Sequence, residues 1–213
     1  MEHLGQPILT ILAHDTKKDK ETGHIITISL KKKDGGLLSE LKICLGAKVM
    51  LTSNISVQDG LVNSATGTVT HFTPTLPPTT SPDFDSFVPK YIWVLFDQEI
   101  IGTQRRAQFT NISPDDNSTP IELQEVHVKH GPVTATRKQF PLVLAWATTI
   151  HKAQGKTVDQ LVIDTTGNFR AGQMYTTLSR VKTLDGLYIL NGFDKKHLKC
   201  DIRSLNEMTR LRR

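Results

Sequence analysis

The sequence predicts an α/β chain built from two unlike parts. A β-rich segment reads as a small closed barrel or sandwich, and the C-terminal half of an open parallel α/β sheet follows it. Three observations predict this. Up to about residue 140 the apolar segments are short and set off by turn formers, as in ILTILA, HIITISL, KVMLTSNI, GTVTHF and YIWVLF. Past residue 140 the apolar runs are continuous: LVLAWA (142–147), QLVID (160–164) and GLYIL (186–190), the pattern of parallel strands buried on both faces. Between the last two, AGQMYTTLSRV puts Ala171, Met174, Tyr175, Leu178 and Val181 on one helical stripe.

Each element follows from local signals. The first five apolar segments are strands by their length and their Val, Ile, Thr, Tyr and Phe content. The stretch TPTLPPTTSPDFDSFVP (73–89) holds five prolines and no strand-forming run, so it is a long surface loop. A second polar loop, TNISPDDNSTP, spans 110–120. After residue 140 the order is β-α-β-α-β, with a short helix near 149–154 and a longer one over 171–181.

Composition sets outer bounds. The chain has 213 residues and 38% hydrophobic content, enough for a packed core. No apolar run approaches the ~20 residues that span a bilayer, and the Met1 end lacks the pattern of a signal peptide, so neither membrane insertion nor export is expected. Cys44 and Cys200 lack the paired spacing of a zinc site or disulfide framework; both read as ordinary thiols and no metal site is expected. The net charge of +5 suits an anionic partner, and basic residues cluster at Lys17, Lys18 and Lys20; at 31–33; at Arg105 and Arg106; and at Lys195, Lys196 and Lys199. Any one of these clusters also fits an ordinary solvated face.

Residues 151–157 read HKAQGKT, and Gly155-Lys156-Thr157 spells the end of a phosphate-binding loop. The loop requires a glycine five residues before Gly155, where Ile150 stands, and requires the Lys and Thr to open a helix; here they precede the strand QLVID. The tripeptide is therefore a decoy. No other Gly-Lys-Ser/Thr occurs, so these residues contain no self-sufficient site for the β and γ phosphates of a nucleotide. The segment nevertheless leaves an apolar strand where open α/β sheets place ligands. Thr148 or Thr149 can cap the short helix, and His151 and Lys152 offer donors to a phosphate or a base. The plainer alternative keeps Thr149 as a cap and His151 as a surface histidine. Arg180 falls off the apolar stripe near its helix end, where it is either a surface arginine favourably placed at a C-terminus or an arginine finger that supplies a permanent charge to a γ-phosphate.

Three blocks, in order, resemble the C-terminal part of Pif-type DNA helicases, the petite-integration-frequency family related to RecD within superfamily one. GAKVMLTSNISVQDGLVNSATGTV (46–69) resembles the family's barrel signature, FPLVLAWATTIHKAQGKTVDQLVID (140–164) its motif V, and AGQMYTTLSRVKTLDGLYIL (171–190) its motif VI. The resemblance covers most of residues 8–201. It implies a RecA-like second motor domain with an inserted barrel of the Src-homology-three kind: residues 1–14 ending the preceding part of that domain, 15–140 the barrel with loop 73–90, 141–203 the RecA-like part, and 204–213 a basic tail. It also implies that Thr149, His151 and Lys152 lie toward DNA phosphates, Gln154 and Gly155 toward ATP, and that Arg180 reaches the γ-phosphate. Asn54, Asn63 and Gly67 match barrel positions better suited to turns and folding than to contacts, and Ser64 stands where the family has glycine.

The resemblance implies ATP and Mg2+ as cofactors of the whole helicase, with no Mg ligands here and none bound by this chain alone. Its implied partners are single-stranded DNA and a first motor domain carrying the phosphate loop and acidic motif, and it implies an intracellular address, nucleus or mitochondrion. The expected function is the C-terminal portion of an ATP-dependent 5′-to-3′ DNA helicase that does not hydrolyse ATP by itself. The alternative is a non-catalytic nucleic-acid-binding or interaction module.

Overall fold

The computed structural model describes residues 4–19, 22–30, 33–34, 36–74, 87–130, 133–155 and 157–212, with backbone alone at 33, 34, 130 and 133. The central part of the proline-rich loop, 75–86, and Lys156 of the glycine-lysine-threonine tripeptide lie outside the described residues. The chain forms two compact units, Met1–Trp146 and Ala147–Arg213.

The first unit contains thirteen of the strands: β1 (Leu9–Leu12), β2 (His14–Lys18), β3 (Ile25–Thr27), β4 (Lys33–Asp34), β5 (Leu37–Leu38), β6 (Glu40–Ile43), β7 (Lys48–Leu51), β8 (Thr66–Thr73), β9 (Tyr91–Phe96), β10 (Thr119–Ile121), β11 (Gln124–His130), β12 (Val133–Gln139) and β13 (Leu142–Leu144), with helix α1 (Thr103–Gln108) between β9 and β10. A five-stranded antiparallel sheet has the order β10-β9-β8-β7-β13, a four-stranded one β11-β12-β2-β3, and β1–β6 and β4–β5 form pairs. The period-two pattern places the core. In β1 and β6, Leu9 pairs with Ile43 and Ile11 with Leu41, all buried, while Leu12, Glu40 and Lys42 face out. Strand β9 lies inside the sheet between β8 and β10 and is buried almost throughout. Its Trp93 donates an indole N–H to the Thr73 hydroxyl at 2.7 Å.

The turn residues behave as their chemistry dictates. The Asn54 side-chain oxygen accepts the Asn63 amide at 2.8 Å and closes the β7–β8 loop. Ser64 has φ +75°, a region that favours glycine, which accounts for the family's glycine at this position. Gly67 is needed for another reason: a Cβ there would lie 2.6 Å from both the Leu95 carbonyl oxygen and a Val94 methyl. Across the fold, the Asp59 carboxylate accepts the Gln104 and Arg105 amides and holds the start of α1. Helix α1 has no counterpart among the sequence expectations.

Two buried polar groups join the two central strands of the four-stranded sheet. Arg137 on β12 and Asp15 on β2 sit directly opposite in register, with two guanidinium–carboxylate bonds of 2.7 Å. Asp15 also accepts the Leu30 amide at 3.0 Å, and Arg137 donates to the Leu37 carbonyl at 3.1 Å. The Arg137 guanidinium holds the Asp15 carboxyl below the usual carboxylate range, against the opposing effect of burial and with help from the Leu30 amide.

One strand differs from expectation. The run 142–147 was expected to be a parallel strand buried on both faces, but β13 is three residues long and pairs antiparallel with β7, Leu142 opposite Leu51. Only Leu142 is fully buried, and Trp146 is mostly exposed. Apolar periodicity reports burial and carries no information on strand direction.

The second unit contains α2 (Ile150–Ala153), β14 (Leu161–Asp164), α3 (Gln173–Leu178), β15 (Leu187–Leu190) and α4 (Ile202–Leu211). As expected, β14 and β15 are parallel, Leu161 opposite Leu187 and Asp164 opposite Leu190. Ile163, Phe169 and Met174 form the core, with Ile150, Leu161, Leu178 and Leu187 packed around it. The pair is covered on one face only: Val162, Tyr188 and Leu190 are exposed. Tyr175, expected on the apolar stripe of its helix, is 75% exposed, because α3 turns Met174, Thr177 and Leu178 to the interior and leaves Tyr175 off that face. Residues 204–211 of the expected basic tail lie in α4, whose N-cap Asp201 accepts the Arg203 amide; Arg213 lies outside the described residues.

Candidate functional site

Thr149 is the N-cap residue of α2, but its hydroxyl makes no capping hydrogen bond; its carbonyl accepts the Lys152 and Ala153 amides at 3.0 and 3.1 Å. The helix is anchored instead by Ile150, which packs on the Met174 core. This leaves Thr149 and His151 exposed and Lys152 half-buried. Gln154 ends the helix and its amide reaches the His151 carbonyl. Gly155 then adopts φ +79° with nothing within 4 Å of where a Cβ would stand, so glycine serves the turn and not a close approach. Past Thr157 the chain runs into an isolated bridge at Val158 and then β14, the opposite order from a phosphate loop opening a helix.

Arg180 follows the C-cap of α3. Its Nε donates to the Thr176 carbonyl at 3.1 Å and one terminal nitrogen donates to the Ser179 hydroxyl at 2.9 Å. A guanidinium has five N–H donors. Two are used to brace it against its own helix end, and three remain without a partner among the described residues.

The backbone joins these two segments. Val158 bridges Val181 in parallel: its amide donates to the Arg180 carbonyl at 2.8 Å and its carbonyl accepts the Lys182 amide at 3.1 Å. Val158 is four positions past Gln154, a span of at most about 14 Å. The segment after α2 is thus joined to the chain at Arg180 and Lys182 through the backbone of Val158. Gly186 permits the close packing here, since a Cβ would overlap the Asp159 carbonyl. Thr149, His151 and Lys152 sit one helical turn away on α2, which packs beside α3. All six expected residues thus fall in one unit, in two neighbouring groups.

The carboxyl edge of the β14–β15 pair was not singled out from sequence. There Asp164 Oδ1 accepts the Thr166 amide, the Thr166 hydroxyl and the Asn191 amide group, and these bonds hold its carboxyl below the usual range, the Thr166 backbone bond foremost. The buried Thr165 hydroxyl lies 2.7 Å from both the Leu190 and Gly192 carbonyls. Above them opens a cavity of about 730 Å³. Its only advance signal is the basic cluster at Lys195, Lys196 and Lys199. Among the described residues no group of three or more His, Cys, Asp or Glu side chains is placed to hold a metal ion, and no helix is long and apolar enough to cross a membrane.

A family model described as the 2B domain of DNA helicase Pif1 matches residues 37–72, the stretch from β5 into β8. The chain is 35% identical over 179 residues to the ATP-dependent DNA helicase PIF1 of Homo sapiens, a match covering 81% of this chain and 22% of that protein. Among solved structures, the Pif1 helicase from Candida albicans is 26% identical with a TM-score of 0.64, covering 96% of this chain and 44% of that one. The Pif1 helicase from Bacteroides in complex with ADP-AlF3 and ssDNA is 25% identical with a TM-score of 0.62, covering 99% and 41%. The chain spans about a fifth of the length of the human relative. Family model, sequence and fold agree that the chain is similar, over most of its length, to a part of the Pif1 DNA helicases.

Proposed function

We propose that this chain is the C-terminal portion of an ATP-dependent 5′-to-3′ DNA helicase acting in genome and telomere maintenance, recombination and repair. In this reading residues 15–140 are a Src-homology-three-like barrel inserted into a RecA-like second motor domain. The phosphate loop, the Mg2+ ligands and the rest of the nucleotide cradle belong to a first motor domain, and the 213 residues alone do not hydrolyse ATP. Gln154 and Gly155 face the nucleotide, and Arg180 offers its three unengaged donors to the γ-phosphate. Thr149, His151 and Lys152 contact the phosphates of single-stranded DNA. The observation that supports this reading is the Val158–Val181 bridge, which joins the segment following α2 to the chain next to Arg180, so that in this reading a DNA-facing segment is linked to a nucleotide-facing one. The family's nuclear or mitochondrial address goes with it.

The test joins this chain to a first motor domain. Arg180→Ala then lowers DNA-stimulated ATP hydrolysis by about 10³-fold while the Kd for single-stranded DNA stays within about twofold. Arg180→Lys fails to restore the rate, because an ammonium lacks the planar fork. Unchanged turnover in Arg180→Ala would remove the role.

The outward face of the four-stranded sheet supports a second reading, a nucleic-acid-binding module without catalysis. His14, Lys18, Lys129 and Lys138 share that face with Thr16, Thr134 and Thr136 by strand alternation. Its sidedness is marked by the His127–Thr136 contact at 3.1 Å and the Lys138–Glu125 ion pair at 3.3 Å. Under this reading, charge reversal at Lys18, Lys129 and Lys138 abolishes DNA binding by the 213-residue chain, and Arg180→Ala leaves it intact.

A further inference from the structure

The cavity at the carboxyl edge of β14 and β15 belongs to neither reading. It lies across the strand pair from Arg180, where open parallel sheets receive ligands. Its volume of about 730 Å³ falls in the range of about 300–1,000 Å³ typical of ligand sites.

Its walls are fixed from within. Asp164 ties the loop after β14 to Asn191 after β15, and Thr165 is bonded to the same loop. On the far side, Asp194 and His197 cap each other: the Asp194 amide donates to His197 Nδ1 at 3.1 Å, and Asp194 Oδ1 accepts the Lys196 amide. With Nδ1 accepting, the proton of the neutral ring sits on Nε2, which is a donor.

The lining has two chemistries. His197 stands between two aromatic rings, Phe169 at 5.8 Å and Phe193 at 6.0 Å between centroids, and Phe193 is 46% exposed. Phe193 thus offers one exposed aromatic face, with the His197 ring tilted 56° to it. Lys196 and Lys199 face the same space; Asp194 is 3.5 Å from Lys196 Nζ and Asp164 lies at the floor, which leaves Lys199 as the lining cation without an ion pair among the described residues. Asn168 and Thr166 add neutral hydrogen-bonding groups. A ligand that answers both halves has a flat ring system and a negative charge.

We propose that this cavity takes one nucleotide unit, its base against Phe193 and His197 and its phosphate on Lys196 and Lys199. The occupant is either a free nucleoside phosphate or one nucleotide of a single strand. The inference stands on the cavity alone and does not require the helicase reading.

The test uses the 213-residue chain and a single-stranded oligonucleotide bearing 5-iododeoxyuridine, with photocrosslinks mapped by mass spectrometry. A crosslink within residues 165–169 or 191–199, centred on Phe193, is expected. Phe193→Ala should reduce its yield and weaken oligonucleotide binding about five- to tenfold, the lower end for losing a base–aromatic stack because the ring is half exposed. Lys196→Ala and Lys199→Ala should each lower the slope of log affinity against log salt by about 0.7. Phe193→Leu, which keeps apolar bulk without an aromatic face, should behave like Phe193→Ala if stacking is the cause. Competition of the crosslink by AMP assigns the site to free nucleotides; crosslinking that AMP does not compete assigns it to nucleotides within a strand. Crosslinks confined to residues outside 165–169 and 191–199, or competition by inorganic phosphate equal to that by AMP, would overturn the proposal. Because the crosslink is read by position, its loss is separable from any effect of Arg180→Ala on ATP turnover.

Discussion

Replacing Asp15 with asparagine tests whether the buried pair with Arg137 holds the first unit together. The substitution keeps the shape of the side chain and removes its charge. One carboxylate oxygen becomes an amide nitrogen, so a donor of Arg137, or the Leu30 amide, faces another donor. A hydrogen bond to a charged group contributes about 1.5–3 kcal/mol, and Asp15 makes two such bonds at 2.7 Å with Arg137, whose side chain has no solvent exposure. Losing one outright and weakening the other gives about 3 kcal/mol. For a urea slope of about 2 kcal/mol per molar, the unfolding midpoint falls by about 1.5 M. Tryptophan fluorescence isolates the effect, because both tryptophans of the chain, Trp93 and Trp146, belong to the first unit. In an Arg137→Met background the same change should cost less than about 1 kcal/mol, since the two residues then no longer act on each other. A loss below about 1 kcal/mol in the single variant, or equal losses in the two backgrounds, would refute the reasoning.

Other outcomes follow from the same structure. Because the folded carboxyl of Asp15 is held below its unfolded value near 3.9, its stabilising contribution is present above that pH and is lost as pH falls through the folded value; acid titration of tryptophan fluorescence should show a shallower loss in Asp15→Asn. Gly67→Ala should destabilise the first unit by about 1–3 kcal/mol through overlap with Leu95 and Val94, read from the same urea midpoint. Gly155→Ala meets no atom but must adopt φ +79°, so it should lower the thermal midpoint of the second unit by the equivalent of about 1 kcal/mol without changing the first. Residues 147–213 produced alone should associate through the exposed Val162, Tyr188 and Leu190, and a monomeric elution profile with a cooperative melt would contradict this.

The strands of the first unit were legible because they are short, apolar on alternate positions and bounded by turn formers; Leu9, Ile11, Leu41 and Ile43 fall inward as the pattern requires. Direction was not legible. LVLAWA and QLVID look alike, yet β13 runs antiparallel to β7 while β14 runs parallel to β15, because partner choice depends on residues roughly 90 and 26 positions away that no local window contains. The helical stripe misplaced Tyr175 because the face that packs is the one of Met174, Thr177 and Leu178, rotated to include a threonine that an apolar stripe does not count. For the candidate site, motif order selected the residues proposed, but nothing in the spelling showed that Val158 would pair with Val181. The carboxyl-edge cavity was hidden for a simpler reason. Its walls come from two loops whose polar residues read, one at a time, as ordinary turns.

The Asp15–Arg137 pair joins residues 122 apart in sequence. During synthesis, strand β2 therefore emerges long before its neighbour β12 exists. At about 5–20 residues per second the wait is roughly 6–24 s, far longer than a hairpin needs to form. Through that interval β2 has only β3 beside it, and Asp15 is an exposed carboxylate with no guanidinium to meet. A nascent chain of this kind leaves the ribosome with an open strand edge, so the last-made strand of the sheet, not the first, determines when the N-terminal residues become protected from proteases and chaperones.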